Sequence, residues 1–258
     1  LVFRDKKLFS GDVAVYHPTQ LDELYVAANC NDLYCNNALL QDLLSQLQMK
    51  PVVLPDVISN LGHVHYKGDV RGRLEHLYLH GLFSTALGAV NITGDLKSDT
   101  TLQNFDFCGH VSTMNFQLGK MLNNSDLGAV KFHAHMDIEV DSMAFRQCKA
   151  DMKIDQIEYR GYTYEDIQFD GEVTTEQMNG YLNIQDENVR LTMEGLADWS
   201  KKDTRLDITA HLEGLRPEAI HLIEEYPEMA ISATAYVNLY TSGELNQVLD
   251  NLTGYIII

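Results

Sequence analysis

From Ala129 to Val140 the chain alternates with a period of two. Val130, Phe132, Ala134, Met136, Ile138 and Val140 fall on one side, and Lys131, His133, His135, Asp137 and Glu139 on the other. A helix, with its period of about 3.6, would scatter these residues around its circumference, whereas a strand sorts them onto two faces. The segment is therefore read as a long strand with one dry and one wet face. The same period returns in Val189-Arg190-Leu191-Thr192-Met193, in Leu206 to Leu212 and in Ile231 to Leu239. Carried along the chain, this reading gives about 13 strands and an all-β fold class, an antiparallel meander with a few short helices.

Turns are expected where Gly, Asn or Asp cluster, at Asp170-Gly171, Asn179-Gly180 and Lys67-Gly68-Asp69. One strand changes phase: Met152 and Ile154 share a parity that Ile157 and Tyr159 do not, which reads as a β-bulge near Asp155-Gln156. Helical spacing is confined to Asn37–Leu47, Phe116–Leu122, Arg216–Tyr226 and Glu244–Leu252. The first three precede the similar segments Leu61-Gly62-His63, Leu127-Gly128-Ala129 and Met229-Ala230-Ile231, which suggests a degenerate unit of one short helix and several strands. Residues 1–60 read as an N-terminal β segment with a short helix at about 37–48, and residues 61–258 as one continuous β module.

Composition sets limits on function. With 45% apolar and 22% charged residues the chain can build an ordinary core, which excludes a disordered or collagen-like class. A net charge of −18 argues against neutralising nucleic acid phosphates. No stretch approaches the roughly 18 apolar residues that span a bilayer as a helix. The start at Leu1 and the stop inside a strand-like segment after Gly254 read as the two cuts of an interior fragment. Cys30, Cys35, Cys108 and Cys148 show no metal spacing, and a Cys30–Cys35 bridge is one option.

Catalytic signatures are absent: there is no Gly-x-Ser-x-Gly, no phosphate-binding loop and no His-Glu-x-x-His. Carboxylate pairs such as Asp137/Glu139 are frequent among 37 acids, so they do not single out a glycosidase. His133, His135 and Glu139 share a strand face, as in a cupin metal motif, but Arg146 stands where that motif closes with Gly and no fourth-ligand segment follows. No metal and no cofactor are expected. What the strands do share is an apolar face, and it must be covered either by a second sheet, as in a sandwich, or by a ligand in a groove. The groove candidates are Val130, Phe132, Met136, Ile138, Met152, Ile154, Leu191, Met193, Leu206 and Ile208.

The run Tyr159-Arg160-Gly161-Tyr162-Thr163-Tyr164-Glu165-Asp166-Ile167-Gln168-Phe169-Asp170-Gly171, the run Met178 to Asn188, the segment Glu194-Gly195-Leu196-Ala197-Asp198 and the ending Leu245 to Gly254 resemble the TamB family of bacterial envelope proteins, in its Bacteroidetes form. The likeness is best from about Phe105 to Gly254 and thin before Leu61. It implies an AsmA-like protein of the periplasm whose long curved sheet, a β-taco, offers an apolar groove for phospholipid transport or outer-membrane protein assembly. It further implies an inner-membrane anchor and a BamA/TamA-type outer-membrane partner, reached through parts of the protein beyond these 258 residues. A β-sandwich adhesion or carbohydrate-binding module and a cupin-like metalloprotein are the alternative readings.

Overall fold

The computed structural model describes residues 2–257 apart from 4–5, 18, 20–22, 49–50, 52, 74, 100–102, 143, 201–202, 223–228 and 243–254. The chain forms two compact units, Leu1–Ala144 and Phe145–Ile258. In the first, a two-stranded hairpin, β1 (Val2–Phe3) and β2 (Lys6–Lys7), precedes a meander of seven strands in chain order. These are β3 (Phe9–Tyr16), β4 (Tyr25–Asn36), β5 (His63–Arg73), β6 (His76–Thr85), β7 (Gly88–Ser98), β8 (Phe105–Gln117) and β9 (Leu127–Asp141). Of the strands in residues 1–60, β3 and β4 thus belong to the same sheet as those that follow, and the boundary between compact units falls after Ala144.

The second unit repeats the architecture. Its strands are β10 (Ala144–Tyr159, whose first residue closes the other unit), β11 (Tyr162–Thr174), β12 (Gln177–Gln185), β13 (Arg190–Asp198), β14 (Asp203–Leu215), β15 (Ile231–Ser242) and β16 (Tyr255–Ile257). Each pairs antiparallel with its neighbour in sequence. The all-β meander expected from the period-two runs is the fold observed, and neither unit closes its strands into a barrel.

Helices are few. Asn36 Oδ1 accepts the backbone N–H of Leu39 at 2.9 Å, which caps α1 (Asn37–Gln48) as an N-cap Asn should. A single turn, α2 (Asp56–Ser59), precedes β5, and α3 (Leu118–Leu122) follows β8 and ends on Asn123 in the left-handed conformation, φ 53°. Asn60 Nδ2 donates to Met121 O at 2.9 Å and so ties the α2 turn to α3. The helix expected at 216–226 is not one in its described part: Leu222 N–H reaches back to Pro217 O at 2.8 Å and His221 takes φ 60°, so the segment is a set of turns. The helix expected at 244–252 lies outside the described residues.

Three expected turns are corrected. Gly68, Gly171 and Gly180 all lie inside strands, in β5, β11 and β12. Each stands opposite another glycine: Gly68 faces Gly81, and Gly171 faces Gly180, which in turn faces Gly195. Gly94 and Gly109 form a further pair. An aromatic ring two residues upstream lies over each of three such pairs. A β-carbon on Gly81 would meet Tyr66, one on Gly94 or Gly109 would meet Phe107, and one on Gly171 or Gly180 would meet Phe169. The glycines are therefore seats for rings, and close backbone approach explains them better than turning does.

The phase change in β10 is present at Ile154 and Asp155, but it does not shift the register. Ile154 pairs Ile167 and Gln156 pairs Glu165. The partner strand switches face at the same place, where Asp166 adopts φ 47°, so the two irregularities cancel. Shifts that do displace the ladder occur at Ser10/Gly11, Cys30/Leu33, Thr113/Phe116 and Leu212/Leu215.

Candidate functional site: the apolar sheet faces

Cross-strand partners share a sheet face, so the register aligns the apolar residues into rows. In the first unit one row runs Val13, Ala28, Val70, Leu79, Gly94, Gly109, Met136 across all seven strands. A parallel row runs Val15, Val26, Gly72, Leu77, Leu96, Phe107, Ile138, and another ends on Phe132 through Tyr66, Phe83, Val90 and Thr113. Val130 joins the same face opposite Phe116, beyond the shift in β8. None of these rows contains a charged side chain.

The second unit is built alike. Ile154, Ile167, Ile184, Leu191 and Leu212 make one row; Met152, Phe169, Leu182, Met193 and Ala210 make the next. Ile208 faces Gly195, and Leu206 faces Ala197. Over the glycines of β12 and β13 these side chains leave an apolar hollow of about 100 Å³, walled by Phe169, Met178, Leu182, Met193 and Ile208. All six candidates from this unit share one face, as do all four from the first. Only Val130 (4% exposed) and Leu206 (9%) are buried; the other eight are half-buried. That is the exposure of side chains shielded by their neighbours on one sheet, and a facing sheet in a sandwich core would have sealed them.

Comparisons with protein-family models, with curated proteins and with solved structures find no match.

The opposite faces carry the polar residues. His135 stands across from His110 with ring centroids 4.9 Å apart, and its Nε2 lies 4.0 Å from Cys108 Sγ. His133 faces Ser112 and Glu139 faces Asp106, so the register spreads the three residues of the cupin-like pattern along the strand. Among the described residues no group of three His, Cys, Asp or Glu side chains could hold a metal ion. Cys30 and Cys35 are free thiols and not a bridge; burial pushes both up from the ordinary thiol value, and Asp69 adds to the rise at Cys30.

Sequence reasoning missed one polar centre. Asp186, in the β12–β13 turn, is 4% exposed and accepts three hydrogen bonds: Tyr162 Oη at 2.7 Å and Asn188 N at 2.8 Å on Oδ1, and Glu165 N at 3.0 Å on Oδ2. Asn188 Nδ2 donates to Tyr162 Oη at 3.1 Å, and the Tyr162 ring packs edge-on against Tyr164 and His221. Burial first, and then the bond to Asp186, push the Tyr162 phenol up to about 12. The carboxylate closes its own turn and clamps the start of β11 to it, which makes it a structural lock. The signal was present as an Asp two residues before an Asn in a turn, but burial cannot be read from that spacing.

Proposed function

We propose that this chain is a non-enzymatic segment of a periplasmic envelope protein, and that its apolar sheet faces form a groove-like bed for phospholipid acyl chains moving between the inner and outer membranes. The supporting observation is the set of charge-free rows, two of which cross all seven strands of the first unit's meander, while most of their side chains stay half-exposed. Such a face gains free energy from any hydrocarbon laid upon it, at about 25 cal/mol per Å² removed from water. The polar face and the net charge of −18 keep the sheet in solution meanwhile. The sequence resemblance to the TamB and AsmA-like proteins supplies the compartment and the BamA/TamA-type outer-membrane partner. Assembly of outer-membrane proteins is the second role that the resemblance carries.

The test places a photoreactive residue at Phe132, on the apolar face, or at its neighbour His133, on the polar face, in the natural full-length protein in cells. Phospholipid adducts are expected at position 132 and not at 133. Absence of lipid adducts at both positions, or equal labelling at the two, would sink the proposal.

A further inference from the structure

On the polar side of the first unit β3 to β6 frame an open hollow of about 560 Å³, whose lining also takes in Val13, Ala28 and Val70 of the first apolar row. Its floor is a directly opposed pair of small residues, Ala14 and Ala27. Next to the floor stands Arg71, opposite Ala27 on one side and Tyr78 on the other, with its guanidinium 4.8 Å from the centre of the Tyr78 ring. The adjoining row is Asp12, Asn29, Asp69 and His80. Asn29 Nδ2 donates to Asp69 Oδ1 at 2.7 Å, and His80 Nδ1 lies 2.9 Å from Thr93 Oγ1, so two wall groups are held in place by partners on neighbouring strands.

We infer that this hollow is a binding site for a neutral polyhydroxylated ligand, a mono- or disaccharide. Four observations select that class. The volume falls within the range of small-ligand pockets, roughly 300–1,000 Å³. The rim alternates acceptors, the carboxylates of Asp12 and Asp69, with donors, Arg71 and Asn29, and a sugar hydroxyl both donates and accepts. Two carboxylates against one guanidinium repel an anion such as phosphate, and among the described residues no group of three His, Cys, Asp or Glu side chains could hold a metal ion there. Arg71 occupies one face of the Tyr78 ring, and the alanine methyls of the floor suit the C–H face of a pyranose.

The groups that would hold the sugar, Asp12, Asn29, Asp69, Arg71 and the two alanines, alternate in the strands with the apolar rows, so the site is tested separately from the lipid reading. Saturation-transfer NMR followed by calorimetric titration of the whole chain with glucose, galactose, N-acetylglucosamine and maltose tests it. At least one sugar is expected to bind. Ala14→Leu, which fills the floor at an exposed position, and Arg71→Ala, which removes the donors, should each weaken binding at least tenfold with an unchanged melting temperature. Lys153→Ala, on a strand of the other unit, should leave binding as it was. No transfer to any of the four sugars, or binding indifferent to both hollow variants, overturns the inference.

Discussion

Asp186 shows how much one side chain can determine. Its carboxylate satisfies a phenol and two backbone N–H groups at once, and a truncation strands donors in a place where water reaches them poorly. Asp186→Ala is expected to cost about 2–3 kcal/mol, since each unmet buried donor is worth about 1–3 and some will find water. Urea melting of the variant checks this, and a loss within error of zero would show that the lock is redundant. Tyr66 supplies a second test at this scale. It is 3% exposed, its Oη donates to Asp69 O at 2.7 Å, and burial above all, helped by Cys30, pushes its phenol up to about 12. Tyr162 shares that value. A phenol whose pKa is raised on folding, from an ordinary value near 10, contributes stability that is fully present below about pH 10 and is lost as pH rises toward 12. Stability should therefore fall steeply across that window in the wild type and less steeply in the Tyr66→Phe, Tyr162→Phe double variant. Matching slopes in denaturant melts would contradict it.

At the scale of the element, the recurring device is a ring seated on a pair of strand glycines. Phe107 covers Gly94 and Gly109, and a methyl on Gly109 would run into Thr93 O, the Gly94 backbone and the ring itself. Gly109→Ala is expected to cost about 3 kcal/mol, because backbone of the paired strand must yield. Phe107→Ala, which removes a half-buried ring and leaves the ladder intact, should cost less, about 2 kcal/mol. A reversed order in thermal melts would refute the seat. The same device explains what was legible in the sequence. Alternation from Val130 to Val140 located β9 and its dry face, because the signal is carried by side chains that the sheet itself sorts. Gly68, Gly171 and Gly180 read as turns because turn chemistry and ring seats use the same residue. Only the cross-strand partner, which no local window contains, tells them apart. The segment Arg216–Tyr226 has helical spacing, with Pro217 at a first-turn position and Pro227 just past its end, yet His221 at φ 60° interrupts it, and such a local conformation leaves no trace in apolar spacing. The phase change in β10 was visible, but its compensation lies on another strand, at Asp166.

At the scale of the whole molecule the issue is whether the apolar faces are cores or working surfaces, and the candidates themselves provide the contrast. Val130 is buried where α3 closes on the start of β9, and it stands opposite the equally buried Phe116. Ile138, on the same strand and face, is only half-buried and stands opposite Phe107. A carboxylate at Val130 has no route to water and no partner, so Val130→Asp should cost about 4 kcal/mol or more and approach unfolding. At Ile138 the carboxylate can lean out to solvent or to the edge of a hydrocarbon bed. Ile138→Asp should then lose about 2 kcal/mol, chiefly the burial of the isoleucine it replaces. Lipid capture, which needs the row to stay free of charge, should fail in this folded variant. Circular dichroism melts of the two variants, paired with phospholipid crosslinking from Phe132 in the full-length protein, separate the possibilities. If Ile138→Asp unfolds as completely as Val130→Asp, the face is a sealed core. If it folds and still crosslinks lipid at the wild-type level, the row carrying Ile138 is not part of the bed. A stable Ile138→Asp chain that has lost its lipid adducts is the outcome expected of a working surface, because there the energetic cost of the charge falls on the ligand and hardly on the fold.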